Sequence, residues 1–127
     1  MDYVAIVTML ALLQALYFAV QVGKQRAAHG VDAPATTGHP DFERAFRIHV
    51  NTLEQLIMVL PGMWIFATYW QPEIAAGLGL LFIIGRQLYR NAYMGDPKNR
   101  AAGFIIGLLA TAVLLLGTLV GAVKNLL

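Results

Sequence analysis

AAGFIIGLLATAVLLLGTLVGAV, residues 101–123, runs without a single charged side chain until Lys124. About 20 apolar residues in an α-helix are enough to cross the hydrocarbon of a bilayer. Within the stretch, Gly103, Gly107, Ala110, Gly117 and Gly121 fall on one stripe about 80° wide at ~100° per residue, and GFIIG and GTLVG are two GxxxG matches. Small residues repeated in this way let helix backbones approach closely in lipid. The pattern fits contact within a protomer and contact between protomers equally well.

Three more segments of the same kind lie N-terminal to it, at about Tyr3–Val22, Ile48–Trp70 and Ile74–Tyr93. The composition agrees: 58% of the residues are hydrophobic and 13% are charged, against about a quarter charged in soluble domains. A soluble chain of this length has no core large enough to hide so much apolar side chain. The expectation is a single domain over residues 1–127, all-α, an integral membrane four-helix up-down bundle. The first apolar run lacks a basic leader and an A-x-A-like cleavage site, which reads as a retained helix rather than a signal peptide. Turn formers mark the connections: Gly30, Pro34 and Pro40 in the first, Gln71-Pro72 in the second, Gly95-Asp96-Pro97 in the third.

Basic residues choose a side. Lys24, Arg26, Arg44 and Arg47 flank the first connection, and Arg86, Arg90, Lys98 and Arg100 flank the third. The second has none. The positive-inside rule then places connections one and three in the cytoplasm and both termini on the opposite side. Trp64, Tyr69 and Trp70 suit an aromatic belt at the outer end. Nucleic acid is not an expected partner, since no basic stripe with interleaved aromatics is present. Serine and cysteine are absent, so a serine nucleophile is excluded and any thiol chemistry uses a ligand's thiol. His29, His39 and His49 have no metal-ligand spacing, and no metal is expected.

The chemistry lies in polar groups inside apolar helices. Arg47, Asn51 and Glu54 project within about 60° of one another on the second helix, and Arg44 joins them. An unpaired carboxylate at the depth of Glu54 is expensive. It therefore needs a cation, either an arginine from another helix or the amine of a ligand. On the third helix Arg86, Tyr89, Arg90 and Tyr93 share an arc of about 100°, which is also what snorkelling arginines and anchoring tyrosines produce. Antiparallel packing brings both groups to the cytoplasmic depth, where Arg26 and Arg100 join them. Arginines suit carboxylates and phosphates, and Glu54 suits an ammonium. A ligand with two carboxylates and one amine fits, and glutathione is such a ligand.

Residues 36–54, TTGHPDFERAFRIHVNTLE, contain FERxxRxxxNxxE without a gap, and residues 85–93 read GRQLYRNAY. Both resemble motifs of the membrane-associated proteins in eicosanoid and glutathione metabolism, and the likeness covers nearly the whole chain. The resemblance implies a homotrimer with sites between protomers and glutathione as cosubstrate. It implies that Arg47, Asn51, Glu54, Tyr89 and Tyr93 contact glutathione, that Arg26 holds one of its carboxylates, and that Arg100 stabilises the thiolate. Arg86 is expected to share in binding carboxylates, and Tyr93 to assist Arg100. The implied activity is that of a glutathione S-transferase, with glutathione-dependent peroxidase activity as a possible second outcome of the same thiolate. The second substrate is expected to be a lipophilic electrophile or lipid hydroperoxide that arrives through the lipid bilayer, and the minimal loops suit a bacterial inner membrane. A non-enzymatic lipid-binding member and a small membrane transport subunit are the alternative readings.

Overall fold

A computed structural model describes the backbone of residues 1–127 and every side chain except that of Pro97. The chain forms α1 (Asp2–His29), α2 (Pro40–Tyr69), α3 (Pro72–Gly95) and α4 (Ala101–Leu126), with a 3₁₀ turn at Pro97–Asn99 before α4. The described residues contain no strand, as expected for an all-α chain.

Local chemistry sets the helix ends. Gly30 closes α1 in the left-handed region, at φ 64°, where a glycine pays no Cβ penalty. His39 is extended and its Nδ1 accepts the backbone N–H of Asp41, capping α2, while Pro40 occupies the first turn. Pro72 starts α3 in the same way. Two helices run further than their apolar segments. α1 continues past Val22 to His29, and α2 begins at Pro40 rather than Ile48. Hydropathy marks the lipid-length part of a helix. It does not register a polar extension such as KQRAAH, whose residues favour helix in water too. Pro61-Gly62 does not break α2, which is continuous through both.

α1, α2 and α4 are long and apolar enough to cross a membrane. α3 is not among them. It is helical throughout its expected length, but Arg86, Gln87, Arg90 and Asn91 crowd its second half.

α2 and α3 each pack against both α1 and α4. Val59, Met63 and Phe66 of α2 meet Val4 and Val7 of α1, Phe82 of α3 and Leu114 of α4 in one buried cluster. Large apolar side chains also cover the outside, among them Leu13 and Leu16 of α1 and Leu109, Leu116 and Leu119 of α4. In lipid such a surface carries no hydrophobic penalty, so van der Waals fit and interhelical hydrogen bonds decide the packing. Trp64 Nε1 donates to the Thr8 hydroxyl at 2.8 Å, and Trp70 Nε1 donates to the Gly117 carbonyl at 2.7 Å. These rings therefore tie helices together, and Lys124 lies 5.9 Å from the Trp70 ring.

The glycine stripe of α4 faces inward. A Cβ on Gly103 would lie 2.4 Å from the Tyr89 nitrogen and 2.6 Å from the Gly85 carbonyl oxygen, and one on Gly117 would meet Phe66 at 2.6 Å. The stripe thus serves contacts within the protomer, to α3 at one end and α2 at the other. Backbone cannot yield as a flexible side chain can. Gly103→Ala is therefore expected to cost about 2 kcal/mol or more through overpacking. Gly107→Ala places its methyl at 3.5 Å from Phe82 and should stay within about 1 kcal/mol of the parent, helped by helix propensity. Thermal unfolding of the two variants in detergent checks the contrast.

Candidate functional site

α2 contributes Arg47 and Asn51, α3 contributes Tyr89 and Tyr93, and Lys98, Arg100, Ala101 and Phe104 come from the third connection and the start of α4. Together they line an open cleft of about 500 Å³. The four-residue spacings put each pair on one helix face, a turn apart. The Tyr89 and Tyr93 rings stack at 5.5 Å, and the Arg100 guanidinium lies 5.7 Å from the Tyr93 ring. A neighbouring opening of about 490 Å³ shares Arg47 and Tyr93 and is bounded by Thr36, Pro40, Glu43 and Arg44.

Three cationic side chains and no carboxylate line the main cleft. Such a site selects anions, and Arg47 and Arg100 offer the planar fork that matches a carboxylate. Among the described residues, Asn51 Oδ1 is buried beside it with no hydrogen-bond partner. Glu54 sits one turn further along the same face of α2. It is exposed on the protomer, and among the described residues no cation lies within ion-pair distance of it.

Arg86 and Arg26 are placed differently from what their sequence positions suggest. Arg86 is 1% exposed. Its Nε and Nη2 donate to the Thr52 hydroxyl at 3.2 and 3.0 Å, and its guanidinium packs 4.1 Å from the centre of the Tyr89 ring. It lies behind the cleft wall rather than on it. Arg26 donates from Nη1 to the Ala35 carbonyl at 2.8 Å and packs over the Phe42 ring at 4.6 Å, so it fastens the first connection. Of the expected site residues, the protomer brings together Arg47, Asn51, Tyr89, Tyr93 and Arg100. It leaves Arg26, Glu54 and Arg86 off the cleft surface and adds Lys98 and Phe104. Thr52 went unnoticed in the sequence because a threonine in a helix ordinarily bonds its own preceding turn, as Thr8 and Thr111 do here.

The fold also collects His29, His39 and Asp41, whose donor atoms lie within 4.8 Å of one another. The spacing in the sequence gave no sign of this. The two imidazoles stack face to face at 3.5 Å with planes 9° apart, and His39 Nδ1 is taken by the Asp41 N–H. Lone pairs lying in parallel planes do not converge on one ion, and the described geometry is that of a helix cap buttressed by a second ring.

A family model described as the MAPEG family matches residues 4–120. The chain belongs to that family. With three membrane-capable helices, this makes it an integral membrane protein. An uncharacterised Synechocystis protein is 44% identical over 96% of this chain and 89% of its own length. Human microsomal glutathione S-transferase 2 is 41% identical over 93% of this chain and 78% of its own. Guinea-pig (Cavia porcellus) leukotriene C4 synthase is 38% identical over 77% of this chain and 65% of its own. The matched region of the family model spans α1 to α4 and includes every cleft residue named above.

Arg26 generates a prediction of its own. Arg26→Ala removes the donor that holds Ala35, so hydrogen exchange across residues 31–38 should accelerate at least tenfold. The helices, whose amides bond within themselves, should keep their protection. Exchange mass spectrometry of the detergent-solubilised protein reads both.

Proposed function

We propose that this protein is a membrane-bound glutathione S-transferase that activates the glutathione thiol for attack on a lipophilic electrophile. The observation that carries the proposal is the pairing of a cationic, tyrosine-walled cleft with an unpartnered carboxylate, Glu54, on the same face of α2. Two carboxylates and one ammonium are the complement of that arrangement. The names of two relatives, a microsomal glutathione S-transferase and a leukotriene C4 synthase, support it.

In this reading Arg47 holds a glutathione carboxylate and Asn51 accepts a donor from the peptide. Glu54 holds the γ-glutamyl amine. Tyr89 and Tyr93 line the path of the tripeptide. Arg100, beside the Tyr93 phenol, faces the sulfur. A free thiol has a pKa of about 8.5, and a nearby cation favours the thiolate. The thiolate attacks the electrophilic carbon and the C–S bond forms, while the electrons of the bond that breaks go to the group displaced: an oxygen that is then protonated, or the halide of an aryl halide. Reduction of a lipid hydroperoxide begins from the same thiolate, and both reactions belong to this reading.

The assembly that goes with this reading is the homotrimer that the family resemblance implies, with each cleft closed by a neighbour. Arg26 reaches the ligand in that arrangement only by leaving the Ala35 carbonyl. In the membrane, α3 crosses as the fourth span, with Tyr89 and Tyr93 on the cleft. Connections one and three face the cytoplasm, both termini lie on the opposite side, and the bacterial inner membrane is the setting.

Isothermal titration with glutathione tests the binding roles: Glu54→Ala is expected to weaken affinity about 10- to 100-fold, the loss of one charge-assisted contact. Arg100→Ala should leave affinity within about threefold. It should also lower kcat about 100-fold with a generic aryl halide and abolish the ultraviolet thiolate band, in line with the loss of one transition-state donor. Absence of saturable glutathione binding by the parent protein refutes the proposal.

A further inference from the structure

Arg86 is a full positive charge 1% exposed inside the bundle, with no carboxylate within ion-pair distance among the described residues. Such a group is among the most expensive to keep in a membrane protein, and a neighbouring protomer can only bury it further. It bonds the Thr52 hydroxyl and packs against the Tyr89 ring. Thr52 is itself 0% exposed and donates its own proton to the Ile48 carbonyl at 2.7 Å. A hydroxyl has one proton and two lone pairs, and here all three are used: the proton on Ile48, the lone pairs on Nε–H and Nη2–H of Arg86. The guanidinium plane is thus fixed by a two-point contact from α2 while it lies 4.1 Å from the ring of a cleft tyrosine on α3.

We infer that Thr52 is a positioning residue, which holds Arg86 behind Tyr89 so that the tyrosine presents a polarised phenol to the cleft. The inference rests on the glutathione reading above and assigns Arg86 a different part in it: it acts through Tyr89 and does not touch the ligand. A cation against one face of an aromatic ring draws π density toward itself. The phenol O–H at the ring's edge becomes a stronger donor to an anion in the cleft. Tyr89 in turn stacks on Tyr93, and Arg100 flanks Tyr93 from the cleft side. The two arginines therefore bracket the tyrosine pair, one buried and fixed, the other at the surface. The geometry calls for a hydroxyl at position 52: valine has threonine's shape but no acceptor, and serine keeps the acceptor.

The test uses the full-length protein in detergent, with glutathione as the ligand. Thr52→Val is expected to raise the pH midpoint of the bound-glutathione thiolate band by at least half a unit and to lower kcat at least tenfold. KM for glutathione should stay within threefold, because no direct contact is lost. Thr52→Ser should return both to parent values. The decisive comparison is in a Tyr89→Phe background, where Thr52→Val should cause no further shift, since the phenol it acts through is gone. A folded Thr52→Val protein with the parent pH midpoint overturns the inference, and so does a shift that persists in Tyr89→Phe, which would mark a merely structural role. Should Thr52→Val not assemble, Thr52→Ala carries the same comparison with the same two outcomes. Failure of the parent to bind glutathione strikes the transferase reading itself. Parent binding with an inert Thr52 strikes this inference alone.

Discussion

Hydrocarbon offers no hydrogen-bond partner, so each polar group carried into these helices must meet its partner at a seam between them. That constraint organises the bundle. The Trp64 indole finds Thr8 across the α1–α2 seam, and the Gln14 amide donates to the Ile83 carbonyl at 2.9 Å across the α1–α3 seam. Arg86 finds Thr52 across the α2–α3 seam. Apolar side chains, which decide the interior of a soluble protein, are found here on both sides of the helices and cannot by themselves choose the arrangement.

Groups left without a partner by this rule are the informative ones. Among the described residues, Glu54 and the Oδ1 of Asn51 are such groups, and both stand on the α2 face that borders the cleft. A fold that satisfies a guanidinium as buried as Arg86 has the means to satisfy a carboxylate. That it leaves Glu54 bare directs attention to what arrives from outside, a ligand or another copy of the chain.

Much of this was legible in the sequence because lipid imposes simple patterns. Four helices, their order and their turn residues follow from apolar length, Pro at the first turn and Gly at the end of α1. The shared faces of Arg47–Asn51 and Tyr89–Tyr93 follow from a 3.6-residue period. Other features depend on rotamers and on distant contacts. Periodicity placed Arg86 with Arg90 and the tyrosines but gave no depth, and the depth is what removes it from the cleft. Arg26 was placed at the right end of the molecule, yet the carbonyl it holds belongs to a loop whose path no spacing reveals. The His29–His39 stack joins the ends of two helices that only the fold brings together. Likewise the glycine stripe on α4 showed that something comes close, and the identity of that neighbour, Gly85 and Tyr89 of α3, is a tertiary fact.

The close approach at Gly103 also divides the cleft into two kinds of wall. On one side, the backbone of Tyr89 is clamped against Gly103 of α4 with no space for a methyl group, and Phe104, next to Gly103, lines the cleft. On the other, the cleft is open, and large side chains of α1 and α4 lie exposed on the outside of the protomer. Shape on the clamped side is inherited from the backbone and is costly to alter. Shape on the lipid side is set by side chains with few neighbours and is free to vary. Diversification of such a scaffold toward new apolar substrates is thus channelled to its outer helices, while the polar end keeps its dimensions.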